Sequence, residues 1–250
     1  MLTEERYSSI LQLLKRDGIV KSQELMKQLD SSESTIRRDL QYLENAGELK
    51  RIHGGAQRVY QLDEELTTSE KAIKNIQEKE AIAKFAASMV QEHDVLFLDA
   101  GTTTLAMIPY LKGKSITVVT NGVQHASLLA DQQTETFLLG GKIKHATKAI
   151  IGAVSLNELK GYRFNQAFLG MNGVDLEFGC TTPDPEEAAL KQSAHQQTAV
   201  TYLLADQSKW SQVSFAKVCE MTEVSIVTDQ LPDHLQYYKD TVTIMEARAQ

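Results

Sequence analysis

The segment SSESTIRRDL, residues 31–40, combines hydroxyl and guanidinium side chains at a spacing that suits contact with DNA. On a helix, with about 100° of rotation per residue, Ser34, Arg37 and Arg38 lie opposite Ile36 and Leu40. Guanidinium groups bind guanine with two hydrogen bonds, and hydroxyls and helix N-termini bind phosphates. The helix pattern alone is equally typical of a solvated face whose arginines pair with nearby acids, so both interpretations remain open at this point.

Small and polar residues also follow several short apolar runs. In FLDAGTTT a glycine and three threonines occupy the expected junction of a strand and a helix, where backbone N–H groups and hydroxyls suit a phosphate. VVTNG and LLGGK show the same pattern of an apolar run followed by small or polar residues, here Asn121, Gly122, Gly140, Gly141 and Lys142. Ordinary capping and turn chemistry explains any one of these, but their recurrence at expected strand ends favours a site for an anionic ligand.

The segment LGMNGVDLEFGCTTPDPEEAALKQ holds the densest group of polar residues. Asn172, Gly173 and Asp175 follow one predicted strand, and Glu186, Glu187 and Lys191 lie at the start of a helix that begins near Pro185. Carboxylates beside a lysine can hold sugar hydroxyls, and they can also move protons between an aldose and a ketose. A sugar-phosphate isomerase is therefore the alternative function, although such residues also serve as helix caps.

Other chemistries lack a motif. The six histidines show no H-E-x-x-H or Cys/His spacing, so we expect neither a metal site nor a cofactor. Cys180 and Cys219 are far apart in sequence, which favours a reducing compartment over a disulfide framework. No apolar run reaches the roughly 18 residues of a transmembrane helix, and the acidic N-terminus does not resemble a signal peptide. We therefore expect a cytoplasmic protein without a membrane partner.

The formal net charge of −7 is unevenly distributed. Residues 1–60 hold 10 Lys and Arg against 9 Asp and Glu, whereas the remainder holds 16 against 24. Between Arg37 and Arg58 there are five basic residues and three acidic ones, so a local basic surface is compatible with the acidic total.

Three helices and a hairpin are predicted to position the N-terminal arginines. The first helix has Thr3 as its N-cap, the second has Ser22, and the third runs from the N-cap Ser32 to a stop at Gly47. Three residues separate the second helix from the third, which is a tight helix-turn-helix. ELKRIHGGAQRV predicts a basic hairpin, a wing, and this combination favours DNA binding.

An α/β domain is predicted to position the second set of residues. Residues 1–60 form the DNA-binding domain, 61–75 a polar linker, and 76–250 the second domain, which opens with a helix over 76–92. Short apolar runs from VLFLD to TVTIM alternate with helical stretches, which indicates a largely parallel sheet that is buried on both faces.

Arg6, Ile10 and Leu14, followed by SESTIRRDL, resemble the helix-turn-helix signature of the DeoR family of bacterial transcriptional regulators, and LKRIHGGA resembles the end of its wing. The resemblance implies a winged-helix repressor whose second domain senses a sugar phosphate. We expect Asp39 to fix a neighbouring basic residue. The DNA-binding residues implied on the recognition helix and wing are Ser32, Ser34, Thr35, Arg37, Arg38, Arg51 and His53.

Effector domains of this family are similar in fold to ribose-5-phosphate isomerase and bind ligand without turnover. By that similarity the phosphate loop consists of Asp99, Gly101, Thr102, Thr103 and Thr104. Asp175, Glu187 and Lys191 face the sugar, and LLADQSKW places Asp206 and Lys209 near the same pocket. The run VDLE after Gly173 does not reproduce the paired acids of the enzymes, so the resemblance implies a regulator and not an enzyme.

Within the family, SESTIRRDL, DAGTTT, VVTNGV, LLGGKIKH and TTPDPEEAALKQ together look most like repressors of fructose operons. That likeness implies fructose 1-phosphate as the effector, whereas repressors for lactose or tagatose share most of these segments. A single winged helix of net charge near +1 has little electrostatic attraction for double-stranded operator DNA. We therefore expect a homodimer or homotetramer that uses two half-sites.

Overall fold

The structure is a computed structural model that describes residues 2–59 and 66–247. The chain divides into two compact units, residues 1–61 and 62–250. The predicted boundary residues 60–65 lie outside the described part.

The first unit is a winged helix-turn-helix. Its elements in chain order are α1 (Thr3–Asp17), β1 (Ile19–Lys21), α2 (Ser22–Gln28), α3 (Glu33–Asn45), β2 (Leu49–Ile52) and β3 (Gly55–Arg58). The three strands form an antiparallel sheet in the order β1-β3-β2. The three helices and the hairpin are thus confirmed.

Strand β1 is an element that the sequence analysis missed. Three residues are too few to show an alternating pattern, and the strand forms because Gly18, with φ of 71°, ends α1 and turns the chain back. Gly55 permits the close pairing of β1 with β3, since a Cβ there would lie 2.0 Å from the carbonyl oxygen of Val20.

Two predicted helix caps are wrong and one is confirmed. Leu2, not Thr3, occupies the N-cap position of α1, and Lys21, not Ser22, occupies that of α2. Both helices begin one residue earlier than predicted. Ser32 does cap α3, because its Oγ accepts the backbone N–H of Thr35 at 3.3 Å.

The second unit is an α/β domain. Its helices are α4 (Thr68–Ala72), α5 (Ile76–Ser88), α6 (Thr102–Leu111), α7 (Val123–Asp131), α8 (Ala153–Leu159) and α9 (Pro185–Gln196). Its strands are β4 (Val95–Leu98), β5 (Thr117–Thr120), β6 (Glu135–Leu138), β7 (Lys142–Lys144), β8 (Ala149–Ile151), β9 (Phe164–Gly170), β10 (Gly173–Asp175), β11 (Gly179–Thr182), β12 (Thr198–Leu204), β13 (Ala216–Cys219), β14 (Ser225–Thr228) and β15 (Thr243–Glu246). Short 3₁₀ helices span Gln207–Lys209, Met221–Glu223 and Asp233–Asp240.

Seven parallel strands form the main sheet in the order β15-β14-β12-β9-β4-β5-β6, which confirms the predicted parallel α/β fold. Both faces are buried: in β4, Phe97 points into one core, whereas Leu96 and Leu98 point into the other. The sheet grows in one direction from β4 and in the other from β9. The crevice at the carboxyl ends of β4 and β9 is therefore the topological switch point, where open α/β sheets bind ligands.

Regular structure occupies part of the interval predicted as a linker. Thr67 and Glu70 form a capping box that starts α4, with the Glu70 Oε2 accepting the Thr67 N–H at 2.8 Å. Helix α4 was not predicted, because five residues are too few to show a helical period. Helix α5, which follows this interval, ends at Ser88, four residues before the predicted end at Glu92.

Two smaller sheets complete the second unit. Strands β10, β11 and β13 form an antiparallel sheet, and β7 pairs with β8 in a hairpin. The first brings Cys180 opposite Cys219, and both thiols are buried and free. Hydrogen bonding to Cys219, together with burial, raises the pKa of Cys180 well above its ordinary value. This thiol therefore remains protonated near neutral pH.

Candidate functional site

Helix α3 presents its polar side to solvent, as a recognition helix must. Ser34, Arg37 and Arg38 are exposed, whereas Ile36 and Leu40 are buried in the core of the first unit. The Oγ of Ser32 lies 3.0 Å from that of Ser34 and 2.9 Å from the Oγ1 of Thr35. The first turn of α3 therefore holds three linked hydroxyls beside two exposed guanidinium groups.

Asp39 holds α3 against α1. Its Oδ2 and Oδ1 accept hydrogen bonds from Nε (2.5 Å) and Nη2 (2.9 Å) of Arg6. Asp39 is 3% exposed, so this two-point ion pair is nearly shielded from water. As expected, Asp39 fixes a basic residue, and its partner is 33 positions away in sequence.

The wing is tied to α3 through Arg51. Its backbone N–H donates to Glu44 Oε1 at 2.8 Å, and its guanidinium contacts Gln41 Oε1. His53 is exposed at the turn between β2 and β3. The DNA-binding roles of these two residues and of the five on α3 stay predictions.

A cavity of about 370 Å³ lies in the second unit at the carboxyl ends of β4, β9 and β12. Its volume is typical of a site for a small molecule. The predicted effector residues that line it are Asp99, Gly101, Thr102, Thr103, Asn172, Glu187, Lys191, Asp206 and Lys209. The fold thus brings together residues from four separate sequence segments.

The N-terminus of α6 opens into this cavity. Gly101 is the N-cap, and the helix begins at Thr102, so the first N–H groups have no acceptor within the helix. Thr102 and Thr103 both line the cavity with Gly101. Backbone donors, hydroxyls and the positive end of the helix dipole therefore meet at one point, as phosphate binding requires.

Lys191 and Asp99 form a buried ion pair beside that point. The Nζ of Lys191, on α9, contacts Asp99 Oδ2 and donates to the carbonyl oxygen of Gly170 at 3.0 Å. The same Asp99 oxygen accepts the N–H of Gly170 at 3.0 Å. The pair joins α9 to the ends of β4 and β9 and so fixes the floor of the cavity.

Glu187 is held by the β7-β8 hairpin. Its Oε1 accepts the hydroxyl of Thr147 at 2.7 Å and lies 3.2 Å from the Nζ of Lys144. Lys144 also contacts Asp184 at 2.7 Å. Burial acts to raise the pKa of Asp184, but the hydrogen bonds from Lys144 and from the α9 N-terminus outweigh it and hold that pKa below its ordinary value.

Three further lysines line the cavity that the sequence analysis did not select. Lys71 and Lys74 belong to the predicted linker, and Lys79 lies on α5. Lys79 is 8% exposed; its Nζ donates to the carbonyl oxygen of Lys74 at 2.6 Å and also contacts that of Lys71. Burial lowers the pKa of this ammonium group. The available signal was the spacing of Lys79 from Ile82 and Ala86, which places this lysine on the apolar side of the helix.

The charge of the cavity is positive. Its lining includes five lysines and three carboxylates. A second cavity, of about 670 Å³ near the ends of β14 and β15, is larger but has an acidic lining, with Glu78, Asp229, Asp233 and Glu246 against Lys239. An anionic ligand is attracted to the first cavity and repelled by the second.

Thr104 and Asn121 do not line the cavity but hydrogen-bond to the backbone of the loop at Asp99 and Ala100. The Thr104 hydroxyl donates to the carbonyl oxygen of Asp99 at 2.5 Å and lies 3.1 Å from the Nε2 of His125. The Oδ1 of Asn121 accepts the N–H of Ala100 at 3.0 Å. Both side chains therefore position the phosphate loop predicted from the sequence.

The remaining predicted effector residues also lie outside the cavity lining. Gly122 packs on the ring of His125, and Gly141 and Lys142 lie at the exposed start of the β7-β8 hairpin. A Cβ on Gly173 would lie 2.4 Å from the carbonyl oxygen of Gln212. Asp175 accepts the N–H groups of Glu177 at 2.9 Å and Phe178 at 3.2 Å. The fold gives Gly122, Gly173 and Asp175 a packing or turn role instead of a place in the cavity.

His125 is buried beneath the phosphate loop. Desolvation lowers its pKa from 6.5 to about 4, although the nearby Asp99 acts in the opposite direction. The imidazole is therefore neutral near pH 7, and it acts on Thr104 through their hydrogen bond and not through a positive charge.

Within residues 2–59 and 66–247, no group of three or more His, Cys, Asp or Glu side chains is arranged to hold a metal ion. None of the helices in this described part is both long and apolar enough to span a membrane.

The fold defines a class of protein: a winged helix-turn-helix followed by a parallel α/β domain with a cationic cavity. A family model described as the DeoR-like helix-turn-helix domain matches residues 6–61, and one described as the DeoR C terminal sensor domain matches residues 74–230. The chain belongs to the DeoR family of transcriptional regulators, as its motifs predicted.

Curated relatives match along most of their length. The chain is 48% identical over 229 residues to the protein described as "Uncharacterized HTH-type transcriptional regulator FruR" of Bacillus subtilis (strain 168), covering 91% of each chain. It is 36% identical to the HTH-type transcriptional regulator GlpR of Haloferax volcanii, covering 92% of this chain and 91% of that one. It is 33% identical to a lactose phosphotransferase system repressor of Staphylococcus aureus (strain NCTC 8325 / PS 47), covering 93% and 94%.

Solved structures show weaker similarity. Ribose 5-phosphate isomerase A of Methanocaldococcus jannaschii aligns with a TM-score of 0.42 and 16% identity, and just over half of each chain, 55%, is covered. The delta subunit of eIF2B from Chaetomium thermophilum aligns with a TM-score of 0.49 and 13% identity, covering 80% of this chain and 64% of that one.

Proposed function

We propose that the protein is a repressor of a sugar-utilisation operon, and that its affinity for operator DNA depends on a sugar phosphate bound in the second unit. Fructose 1-phosphate is the favoured effector. The observation that carries the proposal is the cationic cavity at the sheet's switch point, into which the N-terminus of α6 opens.

The cavity suits a phosphate because lysines outnumber carboxylates in its lining by five to three. The ammonium group of Lys79 is buried and donates to two backbone carbonyl oxygens. Asp206 favours the charged form of Lys79, but burial and two other lysines oppose it, so this cation gains from a further anion nearby. The α6 N-terminus supplies directed N–H donors for the same anion.

Hydrogen-bonding side chains in the same cavity suit a sugar. Asn172, Glu187 and Asp206 line it and offer oxygen acceptors to hydroxyl groups. The fructose preference rests on the resemblance of the motifs to fructose-operon repressors. The 33% identity to the lactose phosphotransferase system repressor of Staphylococcus aureus supports control by a sugar in general. Other sugar phosphates are therefore included in the test.

The DNA half of the proposal rests on α3 and the wing. Two exposed arginines and three hydroxyls on the first turns of α3 match the requirements of major-groove binding. A homodimer or homotetramer would place two copies of α3 on a two-fold operator and multiply the weak affinity of one unit. The ligand can control binding only if it has different affinities for the free and the operator-bound forms.

The test is operator binding measured by fluorescence anisotropy on the upstream region of the protein's own gene. The titration is repeated with fructose 1-phosphate, fructose 6-phosphate, tagatose 6-phosphate, glucose 6-phosphate and inorganic phosphate. We expect a specific complex whose Kd changes at least about tenfold, or 1.4 kcal/mol, with fructose 1-phosphate and less with the others.

Failure to bind any specific fragment would contradict the repressor proposal. A specific complex whose Kd no sugar phosphate alters would support the DNA-binding half of the proposal and contradict control by a sugar phosphate. The same sugar phosphates, incubated with the protein and analysed for aldose-ketose conversion, test the isomerase alternative: conversion above the protein-free rate would contradict a purely regulatory role.

A further inference from the structure

One wall of the cationic cavity comes from a single short segment, Leu66–Asn75, here called the strap. Its residues in the cavity lining are Leu66, Thr68, Lys71, Lys74 and Asn75. The strap precedes α5 and follows the DNA-binding unit in the chain. Residues 62–73 lie between the two matched family models, so most of the strap belongs to neither.

The strap is attached to the rest of the second unit by a few polar contacts. The N–H of Thr68 donates to Ala146 O at 2.9 Å, and its hydroxyl donates to Thr147 O at 2.8 Å. At the other end, the Asn75 amide donates to Asp206 Oδ1 at 2.9 Å. Helix α4 is five residues long, too short to be stable without such contacts.

Charges of both signs act where the strap is attached. Lys71 and Lys74 of the strap line a cavity that also contains Lys79 and Lys209; Asp206 favours the charged form of Lys79, whereas Lys209 and Lys71 act against it. Lysines outnumber carboxylates in the cavity lining by five to three, so an anion in the cavity adds attraction between the strap and the rest of the lining.

We propose that the strap is a ligand-dependent clamp: a phosphate group in the cavity binds the ammonium groups of the strap together with Lys79, and so fastens the segment that leads to the DNA-binding unit. This inference rests on the proposed function and adds the route of control. The ligand adds an attraction between the strap and the cavity that is absent while the cavity holds water alone. It therefore has different interactions with the fastened and loosened states, which is what a shift between two states requires.

The contact between Lys79 and the strap carbonyls makes Lys79 the centre of this clamp. An ammonium group has three N–H donors, and two are directed to Lys71 O and Lys74 O. The third is available to a phosphate oxygen without loss of the first two. One side chain can thus hold the strap and the ligand at the same time.

Hydrogen exchange of the full-length protein, read by mass spectrometry, tests the clamp. With saturating fructose 1-phosphate we expect amides of residues 68–74 to exchange at least about fivefold more slowly, whereas peptides from α1 serve as the internal reference. Lys79→Met is expected to lose this protection and to bind the sugar phosphate at least about tenfold more weakly by calorimetry.

Lys84→Met is the matched control, because it removes one exposed lysine from the same helix outside the cavity. We expect it to keep both the protection and the affinity. Equal loss in both variants would overturn the role of Lys79, since a general change in charge would then explain the result.

Thr67→Ala tests whether the strap transmits the signal. Thr67 caps α4 but does not line the cavity. Loss of a threonine cap lowers the equilibrium constant for helix formation about fivefold. We expect the ligand-induced change in operator Kd to fall at least about threefold in this variant.

The outcomes separate this inference from the proposed function. If fructose 1-phosphate binds and changes operator affinity while exchange in the strap is unchanged, the clamp is wrong and the repressor proposal remains. A full ligand response in Thr67→Ala also overturns the clamp. If no sugar phosphate in the panel binds, both proposals are wrong.

Discussion

Arg6 on α1 and Asp39 on α3 are joined by two hydrogen bonds of 2.5 and 2.9 Å in a largely buried position. The pair fixes the orientation of the helix that carries Arg37 and Arg38. Asp39 is therefore a structural residue of the DNA-binding unit, although it lies between the candidate contact residues and the core.

The Arg6→Met variant is expected to destabilise the first unit by roughly 3 kcal/mol, because it leaves the carboxylate of Asp39 buried without its partner. Urea denaturation followed by circular dichroism measures the loss. The double variant Arg6→Met/Asp39→Leu is the control and should recover most of it, since two apolar side chains can replace a buried pair. Unchanged stability in the single variant would show that the pair contributes nothing.

The Arg38→Ala variant is expected to weaken operator binding by about 1 to 3 kcal/mol and to lower the salt slope of log K by about one. Arg38 is exposed on α3, so the stability of the unit should change by less than about 0.5 kcal/mol. Anisotropy titrations at several salt concentrations measure both effects, with Lys112→Ala as a control in the second unit. A loss of stability equal to the loss of binding would make Arg38 a folding residue.

His125 should make the second unit sensitive to acid. Its pKa is about 4 in the folded state and 6.5 in the unfolded state, so the unfolded chain binds more protons in this window. Stability therefore falls as the pH drops below 6.5, by about 2 kcal/mol between pH 7 and pH 5. The His125→Gln variant should lack this part of the pH dependence in urea denaturation. An identical pH dependence in the variant would place the titration elsewhere.

The Gly173→Ala variant separates packing from ligand contact. A Cβ there would lie 2.4 Å from the Gln212 carbonyl oxygen, and we expect a destabilisation of about 1 to 3 kcal/mol in thermal or urea unfolding. Gly140→Ala is a useful control, because a Cβ there meets nothing closer than 3.6 Å. If Gly173→Ala folds with normal stability but no longer binds a sugar phosphate, Gly173 belongs to the ligand site after all.

Local signals in the sequence predicted much of the fold. Apolar residues at helical spacing predicted the three N-terminal helices, and short apolar runs predicted all seven strands of the parallel sheet. Ser32 was recognisable as a helix cap because its chemistry acts over three residues. The missed elements include β1, α4 and the strands of the two smaller sheets. They are only three to five residues long and show no clear periodic pattern. They depend on partners elsewhere in the chain, such as β3 for β1 and the carbonyl groups of Ala146 and Thr147 for α4.

By itself, the sequence determined the two-part organisation, the family and the loop types that follow the strands. Only the tertiary structure decided which loops meet. The order of strands in the sheet brings the ends of β4, β9 and β12 together, and it directs Asn121 and Thr104 to supporting positions instead of the cavity. The tertiary structure also places Lys71, Lys74 and Lys79 in the same cavity lining as Thr102. The interaction between charges depends on their distance, and the sequence does not state that distance.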